Sequence, residues 1–332
     1  MTADTSLHVS SIHEFLAAVP YLLGFHPSDS VVVVAFRDRK MLCAARTDPD
    51  APAEHTAAVM VRQGADSAVV IGYGDQHLIT PAVHRLSEAL RRRNLPVVDE
   101  FRVTDGRYWS YRCQDVDCCP PDGTPCRPES TAFAAHATYQ GQVVLPDRDA
   151  LVAQLAPVIG DDRSAMSAAT EHAQARLAEA LPQGIRRSGR AAVRSAESRY
   201  RAGGRLTDDE IAWLGILLVE TQIRDYAWMR TSGEEWRIAL WTDVLRRVDP
   251  LYAPAPASLL SFAAWRQGHG ALANAALERA TAAEPHNPMA RLIGQILHEG
   301  IPPDSMDWTP QRDSDRRNQR SGRRRKHGRA GS

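Results

Sequence analysis

Two kinds of hydrophobic pattern divide the chain. In the first 146 residues, short runs of apolar residues alternate with amphipathic stretches, which is typical of buried strands followed by helices. The runs SVVVVAF at 30–36 and SAVVIGY at 67–73 are the clearest strands. From Asp147 onward the strand signals disappear and only helical spacing remains. The pattern therefore predicts an α/β part followed by an all-helical part.

The elements can be placed along the chain. Strands are predicted at 30–36, 41–47, 67–73, 95–103 and 107–111, with a further edge strand at 142–145. Helices are predicted at 10–23, 53–63, 81–93, 130–139, 147–158, 161–181, 187–201, 207–219, 220–230 and 234–248. Strands that alternate with helices favour a mixed sheet flanked by helices and containing at least one parallel pair. We expect an α/β domain over 1–146, a helical domain over 147–303 and a disordered basic tail over 304–332.

The end of the helical domain carries a sharper pattern. The stretch SFAAWRQGHGALANAALERATAAEPHNPMARL, at 261–292, resembles a tetratricopeptide unit. Small, apolar and turn residues fall at the spacings of that repeat, namely at Gly268, Ala273, Leu277, Ala280 and Pro285. There is no convincing second copy, so this helical hairpin is expected to cap the domain and not to form a peptide-binding array.

Composition and charge narrow the class of protein. Of 332 residues, 43% are hydrophobic and 24% are charged, which is the balance of a soluble globular protein. No stretch has the pattern of a secretory signal or a membrane span, so we expect a cytoplasmic location, reduced thiols and no membrane partner. The segment Arg312–Arg329 holds eight Arg and one Lys against two Asp. That segment is a candidate for salt-sensitive contact with nucleic acid.

Four of the five cysteines lie in the stretch CQDVDCCPPDGTPC at 113–126. Zinc is bound by four thiolate or imidazole ligands in a tetrahedron, usually as two short-spaced pairs. Here Cys113 and Cys118 can form one pair, whereas the side chains of the adjacent Cys118 and Cys119 are expected to diverge. The candidate Zn ligands are Cys113, Cys118, Cys119 and Cys126.

Other interpretations of this loop remain open. In a metal site, His136 is an alternative to Cys126 as the closing ligand. In a redox site, loop thiols form a reversible disulfide, although the carboxylates of Asp115, Asp117 and Asp122 are expected to raise the pKa of the thiols. In a purely structural loop, the cysteines act as small buried apolar groups. The unpaired spacing favours the structural interpretation.

Two further groups of residues are candidates for ligand binding. Tyr108, Trp109 and Tyr111 place aromatic rings on both faces of a short strand, where they can stack on a planar ligand or base. Packing within the sheet is the commoner role of such rings. Arg224 and Asp225 lie among apolar residues of a predicted helix, where they form either a charge pair or, less commonly, a ligand anchor.

The sequence lacks the common catalytic signatures. No GxxxxGK[ST], GxSxG or HExxH motif is present. This favours a non-enzymatic binding or regulatory protein with a protein partner, since the terminal hairpin is of an interaction-prone type. The alternatives are a metal-assisted enzyme centred on Cys113, Cys118 and Cys119, and a nucleic-acid-associated protein that uses the basic tail.

Several motifs in order resemble the bacterial family called domain of unknown function 4192. They are YLLGFHPSDSVVVV at 21–34, VTDGRYWSYRCQDVDCCP at 103–120, the triplet Ile223-Arg224-Asp225 and the terminal hairpin. The resemblance covers about residues 8–303, so the basic tail lies outside it. It implies that Cys113, Cys118 and Cys119 belong to the pattern of the family, and it implies no activity, substrate or catalytic residue.

Overall fold

The computed structural model describes residues 11–306, which divide into two compact units. The first unit comprises residues 11–154 and 299–301, and the second comprises 155–298 and 302–306. The domain boundary near residue 146 stays a prediction. Beyond residue 306, the predicted tail lies outside the described residues, and so does Arg312–Arg329.

A mixed sheet of six strands forms the centre of the first unit as described. The strands are β1 (Ser30–Arg37), β2 (Lys40–Thr47), β3 (Ser67–Tyr73), β4 (Val97–Thr104), β5 (Arg107–Ser110) and β6 (Thr124–Pro125). Their order is β2-β1-β3-β4-β5-β6, with β3 and β4 parallel and the other neighbours antiparallel. The predicted mixed sheet with a parallel pair is confirmed.

Helices cover both faces of the sheet. The helices of the first unit are α1 (Ile12–Leu23), α2 (Ala53–Arg62), α3 (Gln76–Arg92), α4 (Ala132–Tyr139) and α5 (Arg148–Ala153). Because side chains alternate along a strand, Val33 of β1 points to the core formed with Met60 of α2 and Leu86 of α3. On the opposite face, the ring of Phe36 lies 6.0 Å from that of Phe15 in α1.

Several predicted bounds differ from the structure; for example, the helix predicted at 147–158 ends at Ala153 and the one predicted at 187–201 begins at Pro182. Helix α3 begins at Gln76, not at Pro81, because the side chain of Asp75 caps it by accepting a hydrogen bond from the backbone N–H of His77. Pro81 therefore lies inside the helix, where it leaves one ladder hydrogen bond unmade. The prediction of an edge strand at 142–145 is wrong, since that stretch forms only an isolated bridge between Leu145 and Phe25.

The second unit is helical. Its helices are α6 (Gly160–Ala178), α7 (Pro182–Arg201), α8 (Asp208–Leu217), α9 (Thr221–Arg230), α10 (Glu235–Arg247), α11 (Pro254–Arg266), α12 (Gly270–Ala283) and α13 (Pro288–His298). The capping box predicted at the start of α8 is present between Thr207 and Glu210. Among residues 11–306, no helix has both the length and the apolar character needed to cross a bilayer.

Helices α11 and α12 form the pair in which the sequence shows the tetratricopeptide pattern. Gly268 adopts φ 84° in the turn between them, a conformation that favours glycine. Ala273 and Ala280 of α12 are fully buried, and Ser261 of α11 donates a hydrogen bond to the carbonyl oxygen of Ala273 at 2.7 Å. The small residues thus serve close helix packing, while the likeness to that repeat stays a prediction.

A buried carboxylate ties three helices of the second unit together. Glu197 of α7 is 1% exposed, and its two oxygens lie 2.6 Å from Nη1 of Arg237 in α10 and 2.7 Å from Nη2 of Arg230 in α9. A buried charge that loses its partner carries a desolvation cost that nothing offsets.

We expect Glu197→Ala to lower the free energy of unfolding by about 3 kcal/mol, because it leaves the buried guanidinium of Arg237 with an unpaired nitrogen. Urea unfolding followed by tryptophan fluorescence measures the change. The matched control is Glu220→Ala, which removes an exposed pair with Arg186 at 3.9 Å and should cost less than about 1 kcal/mol. Equal effects of the two substitutions would contradict the prediction.

Candidate functional site

The cysteine-rich stretch is the long connection of a hairpin at the edge of the sheet. It leaves β5 after Ser110 and returns as the two-residue strand β6, which pairs antiparallel with β5. In this pairing Tyr108 lies opposite Thr124 and Arg107 opposite Pro125. The ends of the loop are therefore fixed by the sheet, although the loop itself has little regular structure.

Trp109 fastens the returning end of this loop, just before β6, to β5. Its Nε1 donates a hydrogen bond to the carbonyl oxygen of Pro121 at 2.9 Å, and the guanidinium of Arg102 lies over its ring at 3.8 Å. Gly123 packs against the same ring with φ 77°, and a Cβ atom added there would lie 2.4 Å from ring carbon Cε2. Arg107 donates to the carbonyl oxygens of Asp122 and Gly123 at 3.0 and 2.6 Å.

Three thiols converge in the first half of the loop. The Sγ atoms of Cys113, Cys118 and Cys119 all lie within 4.8 Å of one another, and those of Cys118 and Cys119 are 3.9 Å apart. With Zn–S bonds of about 2.3 Å, tetrahedral geometry separates the sulfur atoms by about 3.8 Å. The spacing of the cluster is thus close to that of a zinc site.

The expectation that Cys118 and Cys119 diverge is wrong, and a tight turn explains why. The backbone N–H of Cys119 donates to the carbonyl oxygen of Asp115 at 2.6 Å, and that of Asp117 donates to Oδ1 of Asp115 at 3.0 Å. This Asx-type turn folds the chain back so that both side chains approach Cys113.

Ser110 positions the start of the cluster. Its hydroxyl accepts hydrogen bonds from the backbone N–H groups of Arg112 and Cys113, both at 3.1 Å, and donates to Oδ1 of Asp99 at 3.1 Å. Cys113 is therefore anchored through β5 to β4. The roles of Ser110, Asp99 and Asp115 were not predicted from the sequence. Only the role of Asp115 had a signal in the sequence, namely the turn-forming spacing of Asp115 and Asp117.

The structure does not bring the other proposed ligands into this cluster. Cys126 and His136 are not members of the three-thiol group found within residues 11–306. Cys126 is 1% exposed, and its backbone N–H donates to the carbonyl oxygen of Gly106 at 2.7 Å. His136 lies on α4. The cluster thus offers three ligands of its own.

The thiols of the cluster differ in acidity. The pKa of Cys113 is lowered, first because the Cys119 thiol donates a hydrogen bond to its sulfur and then because the backbone N–H of Asp115 does so. The same contact helps to raise the pKa of Cys119 to about 12, since Cys119 must keep its proton to donate it. The charge of Asp115 raises the pKa of Cys113, as expected, but the hydrogen bonds to its sulfur outweigh that charge and the net shift is downward.

The three aromatic candidates have separate contacts. Tyr108 is 6% exposed and packs edge-on against Phe101 at 5.8 Å between ring centroids. Tyr111 faces α3, where its hydroxyl lies 2.6 Å from that of Thr80. Trp109 holds the loop. The structure thus uses each ring within the fold, and their role in ligand binding stays a prediction.

Arg224 and Asp225 lie on α9 in the helical unit. Their side chains form a pair at 3.2 Å between Nη2 and Oδ1, in which the Arg224 side chain is 15% exposed and that of Asp225 is 44% exposed. Nε of Arg224 is buried without a hydrogen-bond partner among the described residues. This geometry fits the charge pair that the sequence favoured, while a ligand anchor stays untested.

The site and the fold together define a two-part protein in which a cysteine cluster lies at the edge of an α/β sheet. The family model "Domain of unknown function (DUF4192)" matches residues 13–304, so the chain belongs to that family. No curated protein is significantly similar to the chain, and neither is any protein of known structure.

The pKa difference predicts which cysteine reacts first. In metal-free protein we expect iodoacetamide to modify Cys113 ahead of Cys119 at neutral pH, because the thiolate is the nucleophile. Cys119→Ala removes the donor, so the pKa of Cys113 should rise and its alkylation at pH 7 should slow by about two- to tenfold. Mass spectrometry of the modified peptides over a pH series gives the midpoint for Cys113, which is the pH at which its alkylation reaches half of its maximal rate.

Cys126→Ala is the control and should leave this midpoint unchanged. Cys119→Ser retains a hydroxyl donor and should have an intermediate effect. A midpoint for Cys113 that stays or falls in Cys119→Ala would refute the assigned hydrogen bond.

Proposed function

We propose that the protein is a binding or regulatory protein that holds one Zn²⁺ ion at Cys113, Cys118 and Cys119. The observation that carries this proposal is the convergence of their three Sγ atoms within 4.8 Å, without a fourth member among residues 11–306. A fourth donor then comes from outside the cluster, from a protein partner or a small thiol or imidazole. The anchoring of the loop by Trp109 and Ser110 supports this function, since metal sites need ligands fixed by surrounding contacts.

The charge of three thiolate ligands favours a binding or regulatory role of the zinc ion over a catalytic one. Three thiolates more than neutralise a divalent ion, whereas catalytic zinc sites mostly use histidine-rich sets that leave the ion more positive. A weakly positive ion is a poor Lewis acid and lowers the pKa of a bound water less. A metal-assisted enzyme centred on these cysteines is therefore the less favoured function.

Disulfide chemistry fits the cluster less well. The Cα atoms of adjacent residues are about 3.8 Å apart across a trans peptide, which is below the usual range of 4.4–6.8 Å for disulfides. A bond between Cys118 and Cys119 would therefore be strained. A bond from Cys113 to either residue would leave a single thiol and remove the three-ligand geometry.

Metal analysis tests the proposal directly. Full-length protein purified without chelators should contain one zinc ion per chain, as measured by inductively coupled plasma mass spectrometry. Replacing Cys113, Cys118 or Cys119 by Ser should weaken zinc binding by about 100-fold or more, since each change removes a ligand. The Co²⁺-substituted protein should show an intense thiolate-to-metal charge-transfer band that each substitution weakens.

The controls use the cysteines outside the cluster. Cys126→Ala and Cys43→Ala should each retain one zinc per chain if circular dichroism shows that they fold. Imidazole or a small thiol added to the Co²⁺ protein should change the spectrum by filling the fourth position. The proposal fails if added zinc does not bind in a one-to-one ratio, or if Cys126→Ala loses the metal as Cys113→Ser does.

A further inference from the structure

A cavity lies at the sheet edge where the parallel strands β3 and β4 end. Five chain segments line it: α1, residues 26–29 before β1, 73–74 at the end of β3, 103–106 at the end of β4 and in the turn to β5, and Cys126 with Pro128 after β6. Its volume is about 390 Å³. The crevice outside the carboxyl ends of parallel strands is where α/β sheets commonly bind ligands, and this volume is within the range of small-molecule pockets.

Part of the cavity wall is apolar. Leu16 and Pro20 of α1 line it, and so do Val103 and Pro128. These side chains suit the hydrocarbon part of a small molecule, because they remove its apolar surface from water without a polar cost.

Tyr73 lines the cavity at the end of β3. It is 8% exposed, and its hydroxyl is buried without a hydrogen-bond partner among the described residues. Burial, with a smaller contribution from the Cys126 thiol, raises the pKa of Tyr73, so the hydroxyl keeps its proton and remains a donor. A buried hydroxyl without a partner is unfavourable, and a ligand oxygen that accepts a hydrogen bond from it removes that cost.

The charged groups that line the cavity are acidic. Asp29 and Asp105 contribute two carboxylates, His26 contributes an imidazole, and no Lys or Arg lines the cavity within residues 11–306. The carboxylate of Asp29 extends over the end of β3, since a Cβ atom added to Gly74 would lie 2.7 Å from its Oδ1. Carboxylates without a lining cation attract an ammonium group and repel an anionic ligand.

We propose that this cavity binds a small organic amine whose ammonium group contacts Asp29 and Asp105 and whose apolar body lies against Leu16 and Val103. An oxygen at the other end of the ligand accepts the hydrogen bond of Tyr73. A metal ion fits less well, because these carboxylates do not converge with a third donor in the described residues. Phosphate-bearing ligands are disfavoured by the two carboxylates.

Matched probes separate charge from shape. Calorimetry would measure the binding of phenethylamine, tyramine, histamine and agmatine, with phenethyl alcohol and 3-phenylpropionate as neutral and anionic counterparts of the first. At least one amine should bind saturably and at least about tenfold more tightly than the alcohol, and 3-phenylpropionate should bind least. Failure of all four amines to saturate at up to about 10 mM would overturn the proposal, and so would tighter binding of the carboxylate.

Backbone geometry provides conservative variants. Asp29 and Asp105 have φ 40° and 49°, a conformation that Asn tolerates as well as Asp does. Asp29→Asn and Asp105→Asn should each weaken amine binding by about tenfold without unfolding the protein. The control is Asp38→Asn. Asp38 has φ 52° in the turn between β1 and β2, and it does not line the cavity. Equal affinity of Asp29→Asn and Asp38→Asn for the amine would refute the site.

Two further variants test the site independently of zinc. Tyr73→Phe should leave the free protein equally or more thermally stable and should weaken tyramine more than phenethylamine, because only tyramine carries an oxygen that can accept the hydrogen bond. Cys113→Ser should bind amines like the unmodified protein even where it no longer binds zinc, since Cys113 does not line the cavity. Loss of amine binding in Cys113→Ser would reject the cavity as the site, whatever the metal content proves to be.

Discussion

The contact between Trp109 and Gly123 is the constraint on which the cysteine loop depends. A loop this long has few hydrogen bonds of its own, so its shape must come from contacts with the sheet. The indole occupies the space that any side chain at residue 123 would need, and the positive φ of Gly123 lets the chain turn there. With Arg102 over the ring and Pro121 accepting from its nitrogen, the loop is held to β5 just before it returns to the sheet, and the preceding residues fold into the thiol cluster.

The short strand β5 also explains why the four cysteines of the loop divide into two places. Cys113 follows the carboxyl end of β5, whereas Cys126 lies beside Gly106, just before that strand begins. A four-residue strand is about 13 Å long, so these two thiols cannot share one metal ion. Cys126 instead lines the cavity at the end of β3 and β4. One hairpin thus carries two chemically different surfaces, a soft thiol cluster and an acidic crevice.

Much of the fold could be predicted because it depends on local patterns. The apolar runs of β1 and β3 are buried on both faces and therefore lack alternation, and the polar Asp105-Gly106 turn marks the hairpin between β4 and β5. The start of α3 was misplaced because Pro81 is a stronger signal in sequence than the cap formed by Asp75.

The sites were less predictable because they depend on geometry that spacing does not contain. The approach of Cys118 to Cys119 requires the turn at Asp115, and rules about adjacent side chains assume an extended chain. The cavity combines residues from Leu16 to Pro128, which no local motif connects. For Trp109, the sequence offered stacking on a ligand or, more commonly, packing within the sheet, but not the segment of its own loop that the ring contacts.

The proton that Cys119 donates to Cys113 determines which metal ions the thiol cluster can bind. Cys119, with a pKa of about 12, keeps its proton at neutral pH and shares it with Cys113. Because metals bind thiolates, occupation of the cluster must release that proton and replace the S–H···S contact, so affinity falls as pH falls. Only an ion with strong affinity for sulfur can offset this cost. Zn²⁺ meets that condition, whereas Mg²⁺ and Ca²⁺ prefer oxygen and do not.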